Sequence, residues 1–377
     1  MFDLLITGGR VVDPAQGRDG ALDIGVLGGR IAEVGPGLPR DGAENVIDVS
    51  GRLVTPGLID LHCHIYGAVT PYGVDPERAG VSSGVTTVVD AGSAGAATFE
   101  RLSGSLADPP RCSVFCFLNI ALTGLSAVPE IRSAADIDVG VAVETVLGNP
   151  GLICGIKARA IGPATGSLGL DRVRQAREAA RETRSLLMVH ITEPRSQGNP
   201  SLTRGLLPLL EPGDILSHPF SGKPGTVLAP EGLMPEFREA VERGVVLDTA
   251  NGGMYVNYGV VRAALEAGII PTTLSTDMAT LGGLFSPPLT QVMSQFLALG
   301  LDLGRVVEMA TAAPARVLGM ADRLGSLAPG MPADISVLEP VAGDWEFPDS
   351  EGELLMGGTT LVPALTIKAG EVVYTKP

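Results

Sequence analysis

Apolar positions divide the chain into two kinds of pattern. The first 55 residues carry short runs, Phe2 to Ile6, Leu22 to Val26, Arg30 to Val34 and Asn45 to Val49, with Gly-Gly pairs at 8–9 and 28–29. Such runs bounded by turn residues read as antiparallel strands. Asp334 to Leu338, Leu361 to Ile367 and Glu371 to Tyr374 repeat the pattern at the other end. Neither end could bury a core alone. Together they are expected to build one small β-sandwich domain from residues 1–55 and 325–377.

Between the ends, apolar runs of strand length alternate with longer helical stretches. The strand candidates are Leu58–Leu61, Val85–Val89, Val114–Leu118, Leu152–Lys157, Leu186–Val189, Ile215–Leu216, Val245–Leu247 and Thr272–Leu274. Helices are clearest at Leu170–Ser185, Met234–Arg243 and Val260–Ala267; the charges of the first sit at helical spacing and read as a solvated face. Eight strands with intervening helices across residues 56–324 predict a (β/α)8 TIM barrel, an α/β fold. A doubly wound sheet would be expected to carry a glycine-rich phosphate turn after its first strand. Here that strand runs into Leu61-His62-Cys63-His64 instead.

Composition narrows the function classes. Apolar residues make up 45% of 377 positions and charged residues 18%, which supplies a large core and excludes wholesale disorder. The net charge of −15 argues against a nucleic-acid partner, whose phosphates need Lys and Arg. The N-terminus lacks the basic, apolar design of a signal peptide, and no apolar run approaches a membrane span. Four cysteines do not read as a disulfide framework, and Cys112 and Cys116 read as core thiols. A cytoplasmic protein without membrane contact is the expectation.

The reactive side chains fall at one end of the barrel. His62 and His64 end strand one, on one side of an extended segment. Lys157 ends strand four, His190 strand five, His218 strand six and Asp277 strand eight. Singly, each has a plain structural explanation: a hydrogen-bonded histidine, a snorkelling lysine, a helix-capping aspartate. Jointly they do not, because these are all four histidines of the chain and all lie on the rim where barrel chemistry occurs. Imidazole and carboxylate are donors that a divalent transition metal takes.

This ordered set has two flanking signatures, Val54-Thr55-Pro56-Gly57-Leu58-Ile59-Asp60-Leu61-His62-Cys63-His64 and Gly325-Ser326-Leu327-Ala328-Pro329-Gly330-Met331-Pro332-Ala333-Asp334-Ile335. Over nearly the whole chain it resembles the amidohydrolase superfamily of metal-dependent hydrolases. The resemblance implies two divalent metal ions, with zinc the default. His62, His64 and Asp277 would hold the buried ion and His190 and His218 the more exposed one. Lys157, N-carboxylated by carbon dioxide, would bridge them. It further implies hydrolysis by hydroxide formed at the metals attacking a carbonyl carbon, with Asp277 as the catalytic proton carrier.

Within the superfamily, dihydroorotases resemble His-x-His-x-Arg, whereas this chain continues His64-Ile65-Tyr66. Dihydroorotases and hydantoinases also tend to follow the catalytic Asp with His, whereas here Asp277-Met278-Ala279 follows; mononuclear deaminases lack the lysine present as Lys157. Gly155-Ile156-Lys157-Ala158-Arg159 and Ser275-Thr276-Asp277 look similar to the deacetylase-like branch. That likeness implies removal of an acyl group, acetyl by preference, from the amide or ester of a small carboxylate-bearing molecule. The alternative is a cyclic amide hydrolase of the dihydroorotase or hydantoinase kind. A third reading, a scaffold that has lost its metals, is disfavoured by the complete donor set.

Arg159, on the same side as Lys157, is the candidate receptor for a substrate carboxylate. Asn251 and Tyr255, in the glycine-containing turn after strand seven, are further substrate-binding candidates, and Arg195 and Lys223 are weaker ones. Cys63 reads as core packing, and Tyr66 as either a pocket wall or a packed loop aromatic. Family members are commonly oligomeric, which leaves a homo-oligomer open.

Overall fold

The computed structural model describes residues 1–377 except 68, 107–109, 162–168, 193–199, 231 and 282–283. Seven parallel strands pair in chain order: Leu58–Cys63, Val85–Gly95, Ser113–Asn119, Ile153–Arg159, Leu186–His190, Ile215–Ser217 and Val246–Asp248. Both faces of a parallel barrel are covered, so its strands read as unbroken apolar runs. Every residue of Val85–Gly95 is accordingly buried.

The eighth strand candidate closes the ring through isolated parallel bridges, Asp248 to Thr273 and Cys63 to Met278. Side chains replace part of its ladder. The Asp60 carboxylate accepts from Thr276 N at 3.0 Å, and Asp248 accepts from the hydroxyls of Thr273 and Ser275 at 2.8 and 2.6 Å. Backbone bonds from Asn251 N to Ser275 O and from Asp277 N to His62 O, at 3.1 and 2.7 Å, stitch both edges. Helices cover the outside, among them Asp171–Thr183, Pro235–Glu242 and Tyr258–Glu266, close to their expected ranges. Helix Ala312–Val317 plugs one end: Ala315 packs with Ile59, Leu61, Val89, Phe117, Met188 and Ile215 in one apolar cluster.

The two ends of the chain meet in two further sheets. One has four strands from the first 48 residues, and the other joins Glu371–Thr375, Leu354–Lys368, Ile335–Pro348, Leu53–Pro56, Arg10–Asp13 and Arg18–Ala21. A shared core of Leu4, Ile6, Ile24, Val54, Ile335 and Ile367 lies between them. Here the C-terminal strands exceed expectation: Ile335–Pro348 and Leu354–Lys368 form a long hairpin whose distal half leaves the sheet. Among the described residues no helix is long and apolar enough to cross a membrane.

Candidate metal centre

A register shift between Asp60 and Cys63 breaks the simple alternation of strand one. Cys63 therefore packs outward, its thiol donating to Val89 O, while His62 and His64 reach the barrel mouth. His62 Nε2 and His64 Nε2 lie 3.4 and 3.2 Å from Asp277 Oδ1. One ligand atom from each of these three residues falls within 4.8 Å of the others. Lys157 Nζ is 3.3 Å from His62 Nε2, and His218 Nε2 is 2.9 Å from His190 Nδ1. The ring centres of His62 and His218 are 5.3 Å apart, so the six expected donors form one continuous cluster.

Each imidazole is also held from behind. His62 Nδ1 faces Asp248 Oδ2 at 3.2 Å, and His64 Nδ1 faces Ser93 Oγ at 2.9 Å. His190 Nε2 meets the carbonyl of Thr192 at 3.0 Å, and His218 Nδ1 that of Ala250 at 2.8 Å. Backbone or carboxylate anchoring of the rear nitrogen is how metal-ligating histidines are oriented. The backbone pays locally: Thr192, His218, Ala250 and Asp277 all have positive φ, between 41° and 70°. Such conformations persist at functional sites when the surroundings over-determine them.

Electrostatics leave His62, His190 and His218 neutral and Asp277 ionised. Burial, followed by the charge of Lys157, holds His62 well below the usual imidazole range; burial and then His218 do the same for His190. Burial lowers His218 to about 3. Burial also brings Lys157 down to about 7, against the opposing pull of Asp277 and Asp248. Burial alone would raise Asp277, but the His64 hydrogen bond and the neighbouring His218 and Lys157 outweigh it, so its carboxyl is held below the usual range.

The fit to a divalent metal pair rests on this donor set. Lys157 is fully buried, and among the described residues its Nζ meets only His62 and the Met188 sulfur. An ammonium there would lack an ion-pair partner. A neutral amine can instead add to carbon dioxide, releasing one proton and gaining two oxygens that share one negative charge.

The substrate candidates divide. Arg159 lies at the mouth and pairs with the buried Glu130, Nη1 to Oε2 at 3.2 Å. The Tyr255 ring lies over His218, with centres 3.9 Å apart, and edge-on to His190 at 5.5 Å. Asn251 is committed to the protein, donating to Gln295 Oε1 at 2.9 Å and accepting from Gly253 N at 3.0 Å. Lys223 pairs with Glu351 at 3.5 Å, and Arg195 lies outside the described residues. Tyr66 is buried and donates to Thr98 O; Cys112 and Cys116 are free, buried thiols.

Sequence reasoning overlooked Asp60, Asp248, Ser93, Glu130 and Gly92. Asp248 was detectable, since it ends strand seven as Asp277 follows strand eight. Gly92 was not: a Cβ there would stand 2.6 Å from Lys157 Cβ, a contact visible only in three dimensions.

A parallel barrel with imidazole and carboxylate groups gathered at its strand ends has the layout of a barrel enzyme's active site. The model of the amidohydrolase family matches residues 53–373, and the chain belongs to that family, whose chemistry makes it a hydrolase of C–N bonds. A deacetylase of Agrobacterium fabrum is 35% identical over 333 residues, 86% of this chain and 80% of that protein. A solved structure described as a dihydroorotase is 32% identical, with a TM-score of 0.88, over 99% of this chain and 98% of that one. Another, described as an adenine deaminase, is 27% identical with a TM-score of 0.89 over the whole of both chains.

Proposed function

We propose that this chain is a binuclear metal-dependent hydrolase that removes an acyl group, acetyl by preference, from a small carboxylate-bearing amide or ester. One observation carries the reading. Each of the four histidines has one nitrogen fixed by a protein group, and their other nitrogens gather with Lys157 and Asp277. His62, His64 and Asp277 would hold one ion, His190 and His218 the other, and Lys157 as a carbamate would join them. Zinc suits this set.

Bound ions of this kind polarise a carbonyl and lower the pKa of water. The chain's own residues do the rest. Asp277, ionised at neutral pH, accepts a proton at its carboxylate and passes it to the leaving group. Arg159 orients the substrate carboxylate with a guanidinium that Glu130 holds in place. Tyr255 covers His218 and excludes water from that side. The deacetylase name of the Agrobacterium relative supports the acyl reading. The dihydroorotase described above supports a second one, ring opening of a cyclic amide.

The test is proton release in a weakly buffered indicator assay, with protein loaded with Zn²⁺ and bicarbonate. N-acetyl amino acids and O-acetyl hydroxy acids are compared with hydantoins and dihydroorotate. Turnover confined to acetylated acids is the expected result, and turnover of the cyclic amides alone moves the enzyme to the second reading. We also propose that residues 1–55 and 325–377 form a supporting domain for the 56–324 barrel, and that the protein works in the cytoplasm.

A further inference from the structure

The long C-terminal hairpin does more than complete its sheet. Its turn, residues 349–353, reaches the barrel mouth and binds the segment after strand seven. The buried Asp349 carboxylate is the centre of this contact. Oδ2 accepts from Tyr258 N and Asn257 Nδ2, both at 3.1 Å, while Oδ1 accepts from Glu351 N and Glu353 N at 2.8 and 2.9 Å. One side chain thus closes the hairpin turn with one oxygen and grips the barrel loop with the other. Ser350 N adds a bond to Val256 O at 2.9 Å, and Tyr258 donates its hydroxyl to Phe347 O at 3.2 Å.

The gripped segment carries site residues. Asn251 and Gly252 are tied to strand eight through Ser275 O and Thr276 O. Beyond them, among the described residues, the backbone of Val256 and Asn257 is held to the rest of the protein by Ser350 N and by the Phe220 carbonyl. Between these anchors lie Gly253, Met254 and Tyr255, whose ring covers His218. Gly252 and Gly253 adopt positive φ freely and Tyr255 N bonds back to Asn251 O, so the turn has its own shape, while Ala250 at φ 41° is strained and the outer attachments fix where the turn sits. A Cβ on Gly252 would stand 3.0 Å from Asp277 Oδ2, so small movements of the turn are felt at the carboxylate. The loop after strand six meets the same hairpin: a Cβ on Gly222 would stand 3.0 Å from Glu351 Oε1, and Lys223 pairs with that carboxylate.

We infer that Asp349 is a positioning residue, which fixes the 251–258 turn and through it sets Tyr255 against His218. Its link to turnover rests on the hydrolase reading above; its link to the order of the turn does not. An acceptor bearing a full charge is the strong form of a hydrogen bond, and this one is shielded from water.

The test uses the zinc-loaded full chain and compares wild type with Asp349→Ala by amide hydrogen exchange. Exchange over 251–258 is expected to accelerate about tenfold or more, with the barrel strands unchanged. Glu353→Gln breaks only the exposed pair with Arg262 and is expected to leave 251–258 at the wild-type rate. With whichever acetylated acid the enzyme turns over, Asp349→Ala is expected to raise KM by a larger factor than it lowers kcat. Should Asp349→Ala not fold, Asp349→Asn carries the same measurement, because a single amide oxygen cannot serve both sets of donors. Acceleration confined to 345–354, or spread over all strands, overturns the inference. If no acetylated acid is hydrolysed, the exchange result still decides the role of Asp349 and only the hydrolase reading fails.

Discussion

His190 Nδ1 and His218 Nε2 face each other at 2.9 Å, while their opposite nitrogens are fixed by the carbonyls of Thr192 and Ala250. Two neutral imidazoles converging in this way are the natural grip for a cation, and strand pairing brings the two strand ends side by side. His190→Ala is therefore expected to lose one metal equivalent while the site made by His62, His64 and Asp277 keeps its own. Metal analysis after gel filtration checks this; loss of both ions or of neither contradicts the division of ligands.

Asp248 anchors His62 from behind and is itself held by Thr273 and Ser275. Asp248→Asn keeps the size but weakens the orientation of His62. Removing such an outer partner typically costs 10–100-fold in metal affinity, so a loss of roughly that size is expected in competition with a chromophoric chelator. Unchanged affinity would show that His62 needs no anchor.

Gly92 leaves the space that the Lys157 stem fills. Its φ of 86° and the 2.6 Å approach to Lys157 Cβ make any side chain costly there. Gly92→Ala is expected to destabilise by about 2–4 kcal/mol, from overpacking and left-handed strain together. It should also reduce bound metal, because Lys157 is displaced. A thermal melt and a metal assay on the same sample read both effects, and an unaltered pair would contradict the packing argument.

Lys157 gives the metal-stripped protein a pH dependence of definite sign. Its pKa falls from 10.5 unfolded to about 7 folded, so between these values the unfolded chain binds the extra proton. Stability then rises with pH. Between pH 7 and about 8.5 the gain is about 1.5–2 kcal/mol, and below pH 7 this contribution is flat. Asp248 and Asp60, raised by burial to about 6 and about 7, act in the opposite sense: their ionisation lowers stability as pH rises from about 4 to 7, and that loss is nearly complete where the Lys157 window begins. Denaturant melts of chelator-treated wild type and Lys157→Met should differ in slope over this window. Equal slopes would place the effect elsewhere.

Much of this architecture was legible because a parallel barrel writes its strands as buried apolar runs and its chemistry as polar residues just past them. His62, His64, Lys157, His190, His218 and Asp277 all follow that rule. What was not legible depends on contacts between distant segments. Asp60 and Asp248 look like ordinary strand polar residues until Thr276 and His62 come against them. Glu130 sits in an irregular loop, and only the fold brings it to Arg159. The hairpin was underestimated because its distal half sets exposed Trp345, Leu354 and Met356 near the buried Phe347, and the run Leu354-Leu355-Met356-Gly357-Gly358 does not alternate apolar with polar residues. Its turn at 349–353 looks like any acidic surface loop until Asp349 is seen against Tyr258.

The central claim is that Lys157 joins two metal ions, and counting metal tests it most directly. Wild type and Lys157→Ala are loaded with Zn²⁺ in bicarbonate, freed of excess ion and analysed for zinc per chain. Two equivalents in wild type and one or none in Lys157→Ala are predicted. Two in both, or a single equivalent in wild type, would contradict the account.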